Sequence, residues 1–221
     1  MSNKAKFTLA GLCALLAAIL IVLVLFVDVA PIGPEGTEIG LSHLNEAVHN
    51  ATGVSMRWYE LTDQLGLAAI LVAGLFALVG AVQLFRRRSL LKVDREILAL
   101  GVLFLVVIGL YVFFEIVIVN YRPVIMPDET HVGASFPSSH TMLVCATLGG
   151  AMLLLGRYIP GKGLRLALQL LCGAAIVVMV VGRLLSGVHW FTDILGGLLI
   201  SGALLALFSA FLTAEKERAA Q

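Results

Sequence analysis

Six long apolar runs follow one another along the chain, and short polar segments separate them. Each run approaches the roughly 20 residues that a helix needs to cross the hydrocarbon core of a bilayer. The runs cover residues 7–29, 62–85, 97–119, 141–156, 164–185 and 192–213. This pattern predicts an all-α integral membrane protein, in which a bundle of six transmembrane helices forms a single membrane domain over residues 1–221.

The composition supports this fold class. Hydrophobic residues make up 60% of the chain and charged residues only 13%, and the mean hydropathy is +1.01. Such values argue against a soluble enzyme or a nucleic-acid-binding protein. The first run follows Lys4 and Lys6 and so resembles a secretory signal, but it is too long, and Pro31 follows the only suitable cleavage residue, Ala30. We therefore expect a retained helix.

The basic residues indicate how the bundle is oriented. All but three of the 15 Lys and Arg residues fall at one end of a six-span arrangement, and the exceptions are Arg57, Arg122 and Arg183. By the positive-inside rule, both termini are then cytoplasmic and the protein is a multi-pass protein of the cell membrane. The segment at 30–61, on the opposite side, is compatible with either a short surface helix or a solvated loop.

Three polar clusters interrupt the apolar pattern, and all three fall on the predicted outer face. They are "NYRP" at 120–123, "FPSSH" at 136–140 and "GRLLSGVHWFTD" at 182–193. Arg122 and Arg183 offer forked donors that match phosphate oxygens. Ser138 and Ser139 stand where a helix begins, so free backbone amides add to the same anion site. These residues predict phosphate binding.

The same clusters contain groups able to perform phosphoryl transfer. His189 and Asp193 are four residues apart and share a helix face, so the carboxylate can hold one ring nitrogen and leave the other as a nucleophile. His140 can protonate the leaving oxygen. The arginines and serines would stabilise the charge on phosphorus. We expect hydrolysis of a phosphohistidine by water, with no metal ion and no cofactor.

With these motifs the sequence resembles the type 2 phosphatidic acid phosphatase (lipid phosphate phosphatase) superfamily, in its bacterial membrane branch. That pattern is Lys, six residues and Arg-Pro, then Pro-Ser-Gly-His, then Ser-Arg, five residues, His, three residues and Asp. It covers residues 115–193 here. The resemblance implies a helical bundle with its active site at the outer end. It also implies the roles just described, with His189, His140 and Asp193 as catalytic residues and Arg122, Ser138, Ser139 and Arg183 as phosphate ligands.

The chain departs from the family pattern at three positions. Ser139 stands in place of Gly, and Gly182 in place of the Ser before Arg183. Glu115 stands where the family has Lys, which exchanges a phosphate-binding cation for a carboxylate. Glu115 lies about two helical turns before Arg122 and is expected to modulate the site, either by orienting Arg122 for a substrate of different charge or by weakening or abolishing activity.

The function predicted from the sequence is removal of phosphate from a membrane lipid on the outer leaflet. Undecaprenyl diphosphate is the first substrate expected, and phosphatidate, phosphatidylglycerol phosphate and lipid A phosphates follow it. Two alternatives stay open. A lipid phosphotransferase would use the same histidines with a different acceptor, and a non-enzymatic anion or lipid transporter would use the arginines alone, although such a pathway predicts polar span centres. The bilayer and a lipid are the expected partners; the sequence indicates no particular protein partner.

Overall fold

The fold consists of α-helices. A computed structural model describes residues 1–127 and 129–219, and within them it contains no strand beyond two isolated bridges. The α-helices are α1 (Asn3–Phe26), α2 (Ser42–Thr52), α3 (Met56–Arg87), α4 (Arg95–Ile116), α5 (Ser139–Tyr158), α6 (Lys162–Ser186) and α7 (Phe191–Ala219). All except α2 are long and apolar enough to cross a membrane. The prediction of a six-span helical bundle is confirmed.

The helices differ from the apolar runs mainly at their ends. α3 begins at Met56, six residues before the predicted run, and α5 begins at Ser139. In both cases the helix extends into polar sequence. Backbone hydrogen bonds and capping residues determine where a helix ends, and a hydropathy pattern does not include either of them. The extra turns carry Tyr59 and His140 on helical backbone.

Helix α5 forms the centre of the bundle, with α3, α4, α6 and α7 around it. It buries both small and large apolar residues, including Val144, Ala146 and Leu154. α7 approaches the start of α5 closely: a Cβ at Gly197 would lie 3.0 Å from the Ser138 carbonyl oxygen. The Ser138 amide also donates to the Asp193 carbonyl oxygen at 2.9 Å. The starts of α5 and α7 are therefore held together.

Ion pairs hold the helix ends together at the end of the bundle opposite the starts of α5 and α7. Arg87 pairs with Asp94 at 2.8 Å, Arg95 with Glu215 at 3.2 Å and Arg157 with Glu96 at 3.3 Å. The last two pairs join helix ends that are far apart in sequence. The arginines at the ends of α3, α4 and α5 thus share one end of the bundle with Glu215 of α7.

The segment between α1 and α3 contains a helix rather than only a loop. α2 extends its buried Asn45 to α7, where the side chain accepts from the Thr192 amide at 3.2 Å and donates to the Thr192 hydroxyl at 3.1 Å. A second contact joins Glu35 to the loop before α5, through His131 at 2.9 Å. The first contact ties α2 to the start of α7, and the second ties the segment before α2 to the loop before α5.

Candidate active site

The three polar clusters converge at one end of the bundle, opposite the end where Arg87, Arg95 and Arg157 form ion pairs. The segment between α4 and α5 folds back on itself, so that the Arg122 amide donates to Gly133 at 3.1 Å and the Ser135 amide donates to Asn120 at 2.9 Å. This pairing places Arg122 beside the start of α5. The Trp190 indole donates to the Tyr121 carbonyl at 2.7 Å and ties the same segment to the turn before α7.

His189 and Asp193 meet through a third side chain. The His189 Nδ1 atom lies 3.7 Å from the Asp193 carboxylate, beyond hydrogen-bond distance, and 3.3 Å from the Ser135 hydroxyl. The Ser135 hydroxyl donates its only proton to Asp193. Nδ1 must therefore carry the proton that this hydroxyl accepts, which leaves Nε2 with a free lone pair.

Three donors orient the Asp193 carboxylate. Besides Ser135, the Trp190 amide donates to it at 2.8 Å and the Asn120 side chain at 3.4 Å. The carboxylate is fully buried, and such a group needs several hydrogen bonds to be tolerated. Its position, and through Ser135 that of the His189 ring, is thus fixed by the fold.

The environment of His189 suits a nucleophile. The ring is buried, and Nε2 has no hydrogen-bond partner among the described residues. Burial, with the nearby charges of Arg122 and Arg183, holds the pKa of His189 well below the ordinary value of 6.5. The ring is therefore neutral at physiological pH. His189 lines a cavity of about 10 Å³, here called the histidine cavity, together with Arg122, Ser139 and Glu115.

Arg183 is a buried cation with no hydrogen-bond partner among the described residues. Its side chain is fully buried, and its three guanidinium nitrogens make no hydrogen bond there. The Tyr59 ring lies 5.2 Å from the guanidinium carbon, and the nearest carboxylate oxygen among the described residues, on Asp63, lies 4.0 Å away. A buried charge left in this way is costly, so an anion is the expected partner.

A second cavity, of about 190 Å³, lies in front of this cation and is here called the arginine cavity. Its lining residues are Tyr59, Arg122, Met126, Pro127, Glu129, His140 and Arg183. Arg122 lines both cavities, so a phosphate between the two arginines would be within reach of both histidines. Among the described residues, no group of three His, Cys, Asp or Glu side chains is placed to hold a metal ion.

The two serines of "PSSH" have different surroundings. Ser139 lines the histidine cavity, as a phosphate ligand should. The Ser138 hydroxyl is buried and caps α5, where it accepts from the Thr141 hydroxyl at 3.0 Å and from the Thr141 amide at 3.4 Å. It lines neither cavity, and phosphate binding by this hydroxyl stays a prediction. A helix start needs a cap, and Ser138 supplies it.

Glu115 is also placed at the site. It is exposed at the end of α4 and lines the histidine cavity with Arg122, but the two side chains form no ion pair in the structure. The expected orienting contact between Glu115 and Arg122 is therefore absent from the structure.

A sequence profile of the PAP2 superfamily matches residues 96–217, more than half of the chain. The chain belongs to the PAP2 superfamily. The resemblance inferred from the three motifs is confirmed, and with it the expectation of a phosphatase. The fold also matches the crystal structure of a transmembrane PAP2-type phosphatidylglycerolphosphate phosphatase from Bacillus subtilis, with a TM-score of 0.62 and 21% identity over 94% of this chain and 96% of that chain. No curated protein sequence matches the chain.

The structure adds three side chains to the site of this PAP2 protein that the sequence did not reveal. Ser135 and Asn120 hold Asp193, and Asp63 on α3 lies 3.0 Å from His140. Asn120 lies within the first polar cluster and Ser135 directly before the second, so their positions in the sequence were a usable signal. Asp63 lies outside the matched residues, at the edge of an apolar run, and no local pattern marks it.

Proposed function

We propose that this PAP2 protein hydrolyses the phosphate ester or diphosphate of a membrane lipid through a phosphohistidine at His189. The observation that carries the proposal is the buried, neutral His189, whose Nε2 is free while Nδ1 is held through Ser135. An imidazole held in one tautomer, beside two cations, is arranged for attack on phosphorus.

The first half-reaction transfers the phosphoryl group to the enzyme. The His189 Nε2 lone pair forms an N–P bond as the P–O bond to the lipid breaks, and His140 gives a proton to the departing oxygen. Arg122 and Arg183 neutralise the charge that builds on the other phosphate oxygens. Nδ1 keeps its proton and donates it to the Ser135 hydroxyl, which in turn donates to Asp193. This chain of hydrogen bonds stabilises the charged phosphohistidine.

In the second half-reaction water attacks the phosphohistidine. His140, now neutral, accepts a proton from the water, the N–P bond breaks, and inorganic phosphate leaves. A lipid alcohol in place of water would give the phosphotransferase alternative with the same residues. Arg122 and Ser139 line the small histidine cavity, whose volume is about that of a single water position.

A groove in the side of the bundle supports a lipid substrate. It has a volume of about 440 Å³, and α3, α4 and α5 supply apolar walls that include Ile70, Phe104 and Leu143. Ser139 and His140 lie at its polar end. An acyl or prenyl chain lying in this groove would place its phosphate at the arginines.

The side of the membrane and the substrate are also proposed. The basic end of the bundle faces the cytoplasm by the positive-inside rule, so the site faces outward and the phosphate is released there. Undecaprenyl diphosphate suits an outward-facing site. Phosphatidylglycerol phosphate is the substrate named for the Bacillus subtilis neighbour, and it is the second candidate.

Phosphate release from the purified protein in detergent, without added metal ions, tests the proposal. Undecaprenyl diphosphate, phosphatidylglycerol phosphate and phosphatidate are offered in parallel, with glycerol 3-phosphate as a matched ester without a tail. We expect release from at least one lipid and much slower release from glycerol 3-phosphate. Equal rates with and without a tail would contradict a lipid substrate, and release from none would favour a transporter.

Glu115 should reduce the affinity for phosphate. Its carboxylate lines the same cavity as Arg122 and His189, so it repels an anion there. We expect Glu115→Lys to lower KM about tenfold for a lipid phosphate, with little change in kcat, and Glu115→Gln to give part of this gain. Steady-state kinetics measure the effect, and Glu60→Lys, at an exposed position of α3, controls for added charge. A large fall in kcat in both Glu115 variants would show instead that the carboxylate is needed for the reaction.

A further inference from the structure

Asp63 on α3 contacts the proposed general acid, although it belongs to none of the three motifs. Its Oδ1 atom lies 3.0 Å from Nε2 of His140 and 4.0 Å from Nη2 of Arg183. The side chain is 44% exposed and the His140 side chain 28% exposed, so the contact lies at the mouth of the site. The residues matched by the superfamily profile begin at 96 and do not include it.

The His140 ring packs against α3 by a single edge. A Cβ at Gly66 would lie 2.8 Å from Cδ2 and 3.4 Å from Nε2 of this ring, so α3 has room for the ring only because residue 66 lacks a side chain. Asp63 and Gly66 are three residues apart and lie on the same face of α3. The Nε2 edge is therefore turned to α3, and Nδ1 is the nitrogen left for the reaction.

A carboxylate at Nε2 suits both proton transfers of the proposed reaction. With Nε2–H donating to Asp63, the ring can carry a second proton on Nδ1 and give it to the leaving oxygen. After that transfer the neutral ring keeps Nε2–H and presents a bare Nδ1, which can accept a proton from water. The partner thus selects the tautomer that both half-reactions require.

We propose that Asp63 is a positioning residue, which holds His140 through Nε2 so that Nδ1 exchanges protons with the leaving oxygen and then with water. This inference rests on the proposed function. The site then contains two histidine–carboxylate pairs: Asp193 orients the nucleophile through Ser135, and Asp63 orients the acid directly.

Leaving-group dependence tests this role. A lipid alkoxide needs a proton in order to leave, whereas p-nitrophenolate does not. We expect Asp63→Asn to lower kcat about 10- to 100-fold on phosphatidate and less than about threefold on p-nitrophenyl phosphate, with KM little changed. His140→Ala should show the same pattern more strongly, and adding Asp63→Asn to it should cost nothing further. Glu60→Gln removes an exposed carboxylate from the same helix and should behave as the wild type.

Other patterns would overturn the proposal. Equal losses on both substrates would assign Asp63 to phosphate binding or folding, and a lower KM at unchanged kcat would make it a competitor for Arg183. Wild-type rates for Asp63→Asn on both substrates would show that Asp63 has no role in the reaction.

A measurement independent of turnover separates this proposal from the proposed function. In protein with ¹⁵N-labelled histidine, His140→Gln identifies the His140 ring signals by their loss. We expect an Nε2–H tautomer in the wild type that Asp63→Asn abolishes and Glu60→Gln preserves. Unchanged signals in Asp63→Asn would overturn the positioning role, whether or not the protein releases phosphate. Failure to release phosphate would count only against the proposed function.

Discussion

We expect phosphate release to fall at least about 10⁴-fold in His189→Asn, because the proposed nucleophile is gone. Asn is the sharpest replacement, since its amide can still donate to the Ser135 hydroxyl and leave the network to Asp193 in place. The fold and the arginine cavity should therefore persist. His131→Asn is the matched control, because His131 is an exposed histidine that pairs with Glu35 outside both cavities.

A trapping experiment separates loss of the nucleophile from general damage. Rapid quenching with a ³²P-labelled lipid should label the wild type with an acid-labile, base-stable phosphoryl group and leave His189→Asn unlabelled. Label retained in His189→Asn would contradict the assignment. Asp193→Asn should label slowly, because it keeps the nucleophile but loses the charge that stabilises the phosphohistidine.

The pH dependence follows from the same environment. The pKa of His189 lies well below 6.5, because burial and two nearby arginines disfavour the charged ring. As the pH falls through 6.5, the nucleophile therefore stays unprotonated. We expect no loss of kcat/KM from His189 until well below that value, and an acid limb at 6.5 would mean that the ring is solvated as in a free peptide.

Arg183→Met should abolish activity and raise thermal stability together. Phosphate contacts would be lost, and we expect kcat/KM to fall at least about 10³-fold. Arg183 is also fully buried without a hydrogen bond among the described residues, so Met removes a buried charge that these residues compensate only weakly, while filling similar space. A gain of about 1 to 2 kcal/mol raises Tm by roughly 2 to 8 °C for a chain of this length.

The effect of a bound phosphate analogue on Tm tests whether Arg183 binds phosphate. Orthovanadate, as a phosphate analogue, should raise the Tm of the wild type, because it binds only the folded state, and should leave Arg183→Met unchanged. Arg57→Met is the control, since Arg57 is exposed on α3 near the same end. A lower Tm in Arg183→Met would show that Arg183 supports the fold through contacts with Tyr59 and Asp63.

Much of the site could be predicted from the sequence because its parts are local. "PSSH" lies at a helix start, and His189 and Asp193 are four residues apart, so each motif shows its own chemistry before the chain folds. The role of Ser138 illustrates what local sequence leaves open. A serine at a helix start serves either a ligand or the helix, and the sequence does not show which; the structure uses its hydroxyl as a cap on Thr141.

The sequence by itself determined the membrane class, the number of spans and the family, because length, hydropathy and motif spacing act along the chain. Tertiary structure alone decided how the parts meet. Ser135 comes between His189 and Asp193 because the segment before α5 pairs with itself, and Asp63 reaches His140 because α3 packs beside α5 at Gly66. Such contacts join residues 54 and 77 positions apart, and packing of helices in three dimensions brings them together.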